Sequence, residues 1–281
     1  METAYHHFGP SDCCRTIIEE IWVQEGPAEP EAEPTTILPR GRVELVIHYG
    51  DPFELMTDAG PTKISPAQIV GQQHRPVSVR ASGKTGIVIV RFYPWGASTL
   101  TPQPLSEFTN SRVDLCDVWS ESVVARLTDS VRSAETPPDR AAAVDAFVCS
   151  AIRGKEVDAA CKTSIDLMNQ NWGRPRIDSI AQNLGLSRRQ LTRRFSNGTG
   201  TSPKKMSRLL RAQKAVTCIR NGLDVHDVIE LCGYVDQSHL IHDVVSHTGK
   251  RPSELAAKKN TSLDNYFNAA DANDFCGLAY L

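Results

Sequence analysis

Between Asp178 and Asp224 the chain has no acidic residue, yet Arg188, Arg189, Arg193, Arg194, Lys204, Lys205, Arg208, Arg211, Lys214 and Arg220 all fall in that interval. Folded surfaces ordinarily mix signs, so a one-sided positive segment points to a polyanionic partner, of which DNA phosphate is the commonest. Other absences narrow the reading. No apolar run approaches membrane-spanning length, and Met1 to Pro10 lacks the basic and apolar regions of a signal peptide, so a cytoplasmic protein with no membrane partner is expected. The 8 cysteines show no C-x-x-C pair or other metal-ligand spacing, which predicts reduced, mostly apolar thiols and excludes a disulfide framework. No nucleophile motif, phosphate-cradling loop or dinucleotide fingerprint occurs, so no enzyme, catalytic residue or cofactor is expected.

The net charge of -2 conceals an uneven distribution over 281 residues. About sixteen basic and eight acidic residues lie in 164–260, against about fifteen and twenty-five elsewhere, the split of a nucleic-acid-binding module joined to another domain. Within the basic part, Ile177, Ile180, Ala181 and Leu184 share a helical face, Gly185 ends that helix, and Ser187 can cap a second carrying Leu191 and Phe195 inward. About 48 residues later Val225, Val228, Ile229, Cys232, Gly233, Leu240 and Val244 repeat the pattern. Between the units, Met206 to Ile219 forms an amphipathic helix stopped at Asn221-Gly222. Such a connector would let one monomer read two groove segments about 34 Å apart, whereas spacing alone also allows two helical hairpins sharing a core.

The run from Ile180 through Leu184-Gly185-Leu186-Ser187, Leu191 and Phe195, then Gly200-x-Ser202-Pro203, Arg208-Leu209-Leu210-Arg211 and Cys232-Gly233-Tyr234-x-Asp236-Gln237-Ser238-His239-Leu240, resembles the paired helix-turn-helix domain of AraC/XylS-type transcription regulators. The resemblance covers about a third of the chain, and it implies a seven-helix DNA-binding domain that activates or represses promoters and is steered by a second domain. Carried over, the recognition helix spans 187–197 and exposes Arg188, Arg189, Gln190, Thr192 and Arg193 for base reading, led by Arg189, Thr192 and Arg193. Arginine's planar fork suits guanine O6 and N7, although phosphate contact alone is an equal alternative for any one of them. Arg194, Lys204, Lys205 and Arg208 are expected on the DNA backbone.

The second unit departs from the family. Asp224 to Gly249 holds no Lys or Arg but does hold Asp224, Asp227, Glu230, Asp236 and Asp243. Three readings follow: weaker DNA contacts through Gln237, Ser238, His239 and His242, a structural role, or a protein-facing surface. His226, His239, His242 and His247 are expected to add positive charge as pH falls from about 7.5 to 6.

Before the basic part, Val43 to His48, Ala67 to Val70, Pro76 to Arg80 and Gly86 to Phe92 are short β-branched runs separated by Gly, Pro and Asp, the mark of a β-sheet domain. With Leu38-Pro39-x-Gly41 and Arg91-Phe92-x-Pro94-x-Gly96, this part is similar to the cupin-like N-terminal domain of some regulators of the same family. Alternation puts Glu44, Val46 and His48 on one strand face, toward a ligand pocket or metal, but one Glu and one His without a further ligand do not make an open metal site, so no metal is expected. Leu115 to Leu127 and Arg140 to Ile152 have helical spacing around a Pro137-Pro138 break, packing on the sheet or on a second subunit. Scarce Gly and Pro in 150–165 predict a helical connection onward.

The expected fold is a two-domain α+β chain: a small β-barrel or cupin-like domain with flanking helices over 1–160, sensory or dimerising; an all-α domain over 161–258 with two helix-turn-helix units joined by a long helix; and an acidic tail over 259–281. The expected function is sequence-specific DNA-binding transcription regulation dominated by the first unit. The alternative is a regulator descendant acting mainly through protein contacts, its second unit having lost DNA; metal-dependent chemistry in the β domain ranks third. Double-stranded DNA is the expected partner, and RNA polymerase, a small-molecule effector and a second copy in a homodimer are further partners the resemblance admits.

Overall fold

The computed structural model describes residues 3–28, 33–152 and 156–257. The acidic tail expected over 259–281 lies outside them. Among the described residues, ten antiparallel strands form two sheets: β1 (Ala4–Phe8), β2 (Ile18–Ala28), β3 (Thr35–Ile37), β4 (Glu44–His48), β5 (Glu54–Thr57), β6 (Gly60–Lys63), β7 (Ala67–Val70), β8 (Val77–Arg80), β9 (Lys84–Phe92) and β10 (Arg112–Asp114). The larger sheet runs β1-β2-β9-β4-β7-β10 and the smaller β3-β8-β5-β6.

Alternation along the central strands builds two cores at once. Leu45, Ile47, Ile69, Val88 and Val90 face Val124, Leu127 and Val131 of α1 (Glu121–Ser133) and Ala141, Val144 and Val148 of α2 (Pro137–Ala151). Val46, Val70, Ile87 and Ile89 pack with Trp22 and Ile37 on the opposite face, toward the smaller sheet. Two helix expectations need correction. Residues Leu115–Asp117 form only a 3-10 turn, and α1 starts later, after Ser120. Pro137 and Pro138 lie in the first turn of α2, where a missing N–H costs nothing, and Thr136 caps them.

Seven helices follow: α3 (Ala159–Gln170), α4 (Ile177–Asn183), α5 (Arg188–Thr199), α6 (Pro203–Arg220), α7 (Val225–Cys232), α8 (Gln237–Thr248) and α9 (Pro252–Ala257). The connection expected to be helical over 150–165 is broken: α2 ends at Ala151, and Asp158 is extended and caps α3 by accepting from the Ala160 N–H at 2.8 Å. Leu191 and Phe195 of α5 share a core with Ile165, Ile180, Ala181 and Met206, whereas Leu240 and Val244 of α8 close a separate core with Val216, Ile219, Val228 and Cys232. Gly185 and Gly233, at φ 64° and 68°, make the left-handed turns that the two units require.

Trp95, from the β domain, belongs to the core of the first unit, 7% exposed and packed with Leu191, Phe195 and Met206. Around it Thr109 Oγ1 donates to the Gly200 carbonyl at 2.5 Å, His74 Nε2 lies 2.9 Å from Thr201 Oγ1, and Gln213 Nε2 donates to the Pro39 carbonyl at 3.3 Å. The expectation that all cysteines are reduced fails at one pair, since Cys13 and Cys149 are joined by a disulfide. Their separation of 136 residues leaves no local spacing to read.

Candidate nucleic-acid interface and ligand cavity

The first recognition helix is held at its start by a reciprocal cap. Ser187 Oγ accepts from the Gln190 N–H at 3.2 Å, and Gln190 Oε1 accepts from the Ser187 N–H at 2.9 Å. The Gln190 carbonyl oxygen is therefore used within the helix. Arg188, Arg189 and Arg193 are exposed on α5 and Thr192 is half-buried, with Arg189 and Arg193 one turn apart. Arg188 lies 3.3 Å from the exposed Asp178. Arg194 is held bidentately by Asp158, at 2.8 and 2.7 Å, which ties α5 to the cap of α3 and pulls the Asp158 carboxyl below the usual range.

Between the two units runs an open groove lined by Arg176, Arg188, Lys204, Arg208, Arg211 and His239. Lys205 turns the other way, its Nζ 3.5 Å from His74 Nδ1 in the β domain.

The second unit has a different chemistry. Asp243, on α8, is 3% exposed and points inward to Arg208 at 2.6 Å and Arg211 at 3.2 Å, both on α6. Its charge is neutralised within the domain. Asp243, one of the acids that set the second unit apart in the sequence, is thus the partner of α6 arginines, a pairing that charge and spacing alone do not reveal. Gln237, Ser238 and His242 are exposed and His239 is half-buried, its ring edge-on to Tyr234. His247, expected to gain charge near neutral pH, is buried, and that burial with Arg220 pushes its pKa down to about 4. It stays neutral in that range.

Residues 180–258 match the family model described as "Helix-turn-helix domain", and residues 6–114 match "Domain of unknown function (DUF6597)". The C-terminal domain is an AraC-type helix-turn-helix domain. A transcriptional regulator of the AraC-type DNA-binding class from Chromobacterium violaceum is 29% identical over 35% of this chain and 89% of its own, with a TM-score of 0.33. The C-terminal domain of AraT, a response regulator from Geobacillus stearothermophilus, is 18% identical over 37% of this chain and 89% of its own, TM-score 0.35. ToxT from Vibrio cholerae is 11% identical over 91% of this chain and 97% of its own, TM-score 0.45. No curated protein matches the chain. The AraC-type domain supports a DNA-binding transcription regulator. No described helix is long and apolar enough to cross a membrane.

The β domain that accompanies the AraC-type domain holds a narrow cavity between its sheets, walled by Ile37, Val46, Phe53, Val70, Val79 and Ile89. Glu44 lines it but is bound to buried Arg91 at 2.9 Å, with Glu20 on the same guanidinium. His48, 3% exposed, leaves both ring nitrogens without a partner, and Gln68, 1% exposed, leaves both amide atoms so. Arg112 also lines the cavity, and its side chain makes no hydrogen bond among the described residues; burial holds its pKa below the usual guanidinium value. Burial and Arg112 push His48 down to about 4, so it is neutral at pH 7. Unpaired polar groups at such depth are costly unless something fills the space.

Proposed function

We propose that this regulator recognises a specific DNA sequence mainly through α5, with Arg189, Thr192 and Arg193 reading bases and Arg188 at the groove edge. The observation that carries this reading is the contrast between the two recognition helices: α5 exposes Arg188, Arg189 and Arg193, and α8 exposes no Lys or Arg. Gln190 and Arg194 then keep the helix in place, and Lys204 and Arg208 line the groove that would hold the phosphate backbone. Gln237, Ser238, His239 and His242 supply weaker contacts. The domain boundaries proposed are 1–160, 161–258 and 259–281.

The β domain, in this reading, senses a small molecule in the cavity. An anionic or strongly accepting group would pair with Arg112, and His48 and Gln68 would complete its hydrogen bonds. Pairing of subunits and contact with RNA polymerase belong to the same proposal.

One observation favours the alternative of protein contact at the second unit: Val235, just before α8, is 84% exposed, and Val245 on α8 is 37% exposed. A substitution pair separates the readings. Arg193→Ala should weaken binding to the preferred site by about 1–3 kcal/mol and barely change binding to random DNA, whereas Lys204→Ala should weaken both alike. Equal losses from Arg193→Ala would move that residue to the backbone, and no loss from either would favour the protein-contact reading.

A further inference from the structure

Three cysteine side chains meet on the β domain, away from the cavity and from the DNA-facing groove. Cys13 and Cys14 lie in the turn between β1 and β2, and Cys149 lies in the last turn of α2. Their three Sγ atoms all fall within 4.8 Å of one another. Cys13 and Cys149 are bonded, and Cys14 Sγ stands 3.7 Å from Cys13 Sγ. Cys14 is fully buried and faces Asp145, donating to its main-chain oxygen at 3.9 Å, while the Asp145 carboxylate accepts from the Ser11 N–H at 3.2 Å. Burial first, then the Asp145 charge, push the Cys14 thiol up to about 11.

A structural crosslink with a small apolar neighbour would explain two of the cysteines and the burial of the third. It would not explain why three sulfurs from two separate elements converge within 4.8 Å of one another. Three thiolates become favourable together when a cation joins them. The spacing suits one: metal–sulfur bonds of about 2.3 Å at tetrahedral angles separate sulfurs by about 3.8 Å, close to the Cys13–Cys14 distance.

We infer that Cys13, Cys14 and Cys149, once the Cys13–Cys149 bond is reduced, form a three-sulfur site for one thiophilic divalent cation, with zinc as the reference ion. A dithiol reductant opens the site: its two thiols become a disulfide, the Cys13–Cys149 bond breaks, and two protein thiols form. The cation then makes three metal–sulfur bonds and displaces three protons to water. A small-molecule disulfide reverses the first step, taking two electrons from Cys13 and Cys149 and releasing the cation.

The position of the site gives it a route to the DNA-binding domain. Three residues after Cys13, the Thr16 carbonyl accepts from the Trp95 indole N–H at 2.9 Å, and Trp95 packs on Leu191 and Phe195 of α5. Asp158, about nine residues after Cys149 in the sequence, grips Arg194 of the same helix.

The test uses the full chain, reduced with dithiothreitol, freed of reductant without air and given zinc. One zinc per chain should stay with the reduced protein through gel filtration, and none with the same protein after reoxidation. Cobalt(II) in place of zinc should give thiolate-to-metal charge-transfer absorption that is lost in Cys149→Ser. Because Cys14→Ser alters a fully buried position, the reoxidised wild type serves as a control that needs no substitution. Retention of zinc by the oxidised protein, unchanged retention in Cys149→Ser, or no retention by reduced wild type would each overturn the assignment. None of these results depends on DNA binding.

Discussion

At the residue scale, two buried histidines make stability depend on pH. His48 and His247 titrate near 4 in the folded chain because burial penalises their charged form, against about 6.5 when unfolded. Above pH 6.5 both states are neutral and nothing is lost; as pH falls from 6.5 toward 4 the unfolded chain binds the extra protons, so stability drops. At pH 5 each histidine should cost about 2 kcal/mol relative to pH 7. Urea midpoints at the two pH values measure this, and the drop should shrink in His247→Gln; an equal drop there would remove His247 as a cause. This behaviour was not legible in sequence, where His247 resembled its exposed neighbours: only the packing of α8 distinguishes it. Ser187 and the turn glycines were legible, because a cap and a left-handed turn are local requirements that few residue types meet.

At the element scale, the helices of the AraC-type domain could be read from apolar spacing, as could β4, β7, β8 and β9 from their β-branched runs. β1 and β2 could not. Ala4–Phe8 is short, with two adjacent histidines at its centre, and Ile18–Ala28 is largely buried between β1 and β9, so neither shows a clean alternation. The acid in α8 was legible as a charge and not as a partner. Asp243→Asn should lower stability by about 1–3 kcal/mol, because two arginines lose their counter-ion in a partly buried place. The same change frees Arg208 and Arg211 toward the groove, so non-specific DNA affinity should rise and fall more steeply with salt, by up to about 0.9 in the log–log slope for each added phosphate contact. An unchanged slope would show that these arginines never reach DNA.

At the scale of the whole molecule, the β domain and the first helix-turn-helix unit share Trp95, and the second unit keeps its own core. Such docking is tertiary, and no periodicity in the sequence could announce it. Trp95→Ala should cost about 3 kcal/mol or more and separate the melting of the two domains, seen as two calorimetric transitions in place of one. A single unshifted transition would show that the contact does not couple them. The central claim is that this chain selects a DNA sequence, with α5 dominating. Selection of bound fragments from random DNA by the purified full chain, at about 150 mM salt where non-specific binding is weak, tests it most directly. One recurring motif, lost in the Arg189→Ala, Arg193→Ala double variant and kept in His242→Ala, is the predicted result; recovery of no motif by folded protein would contradict the account.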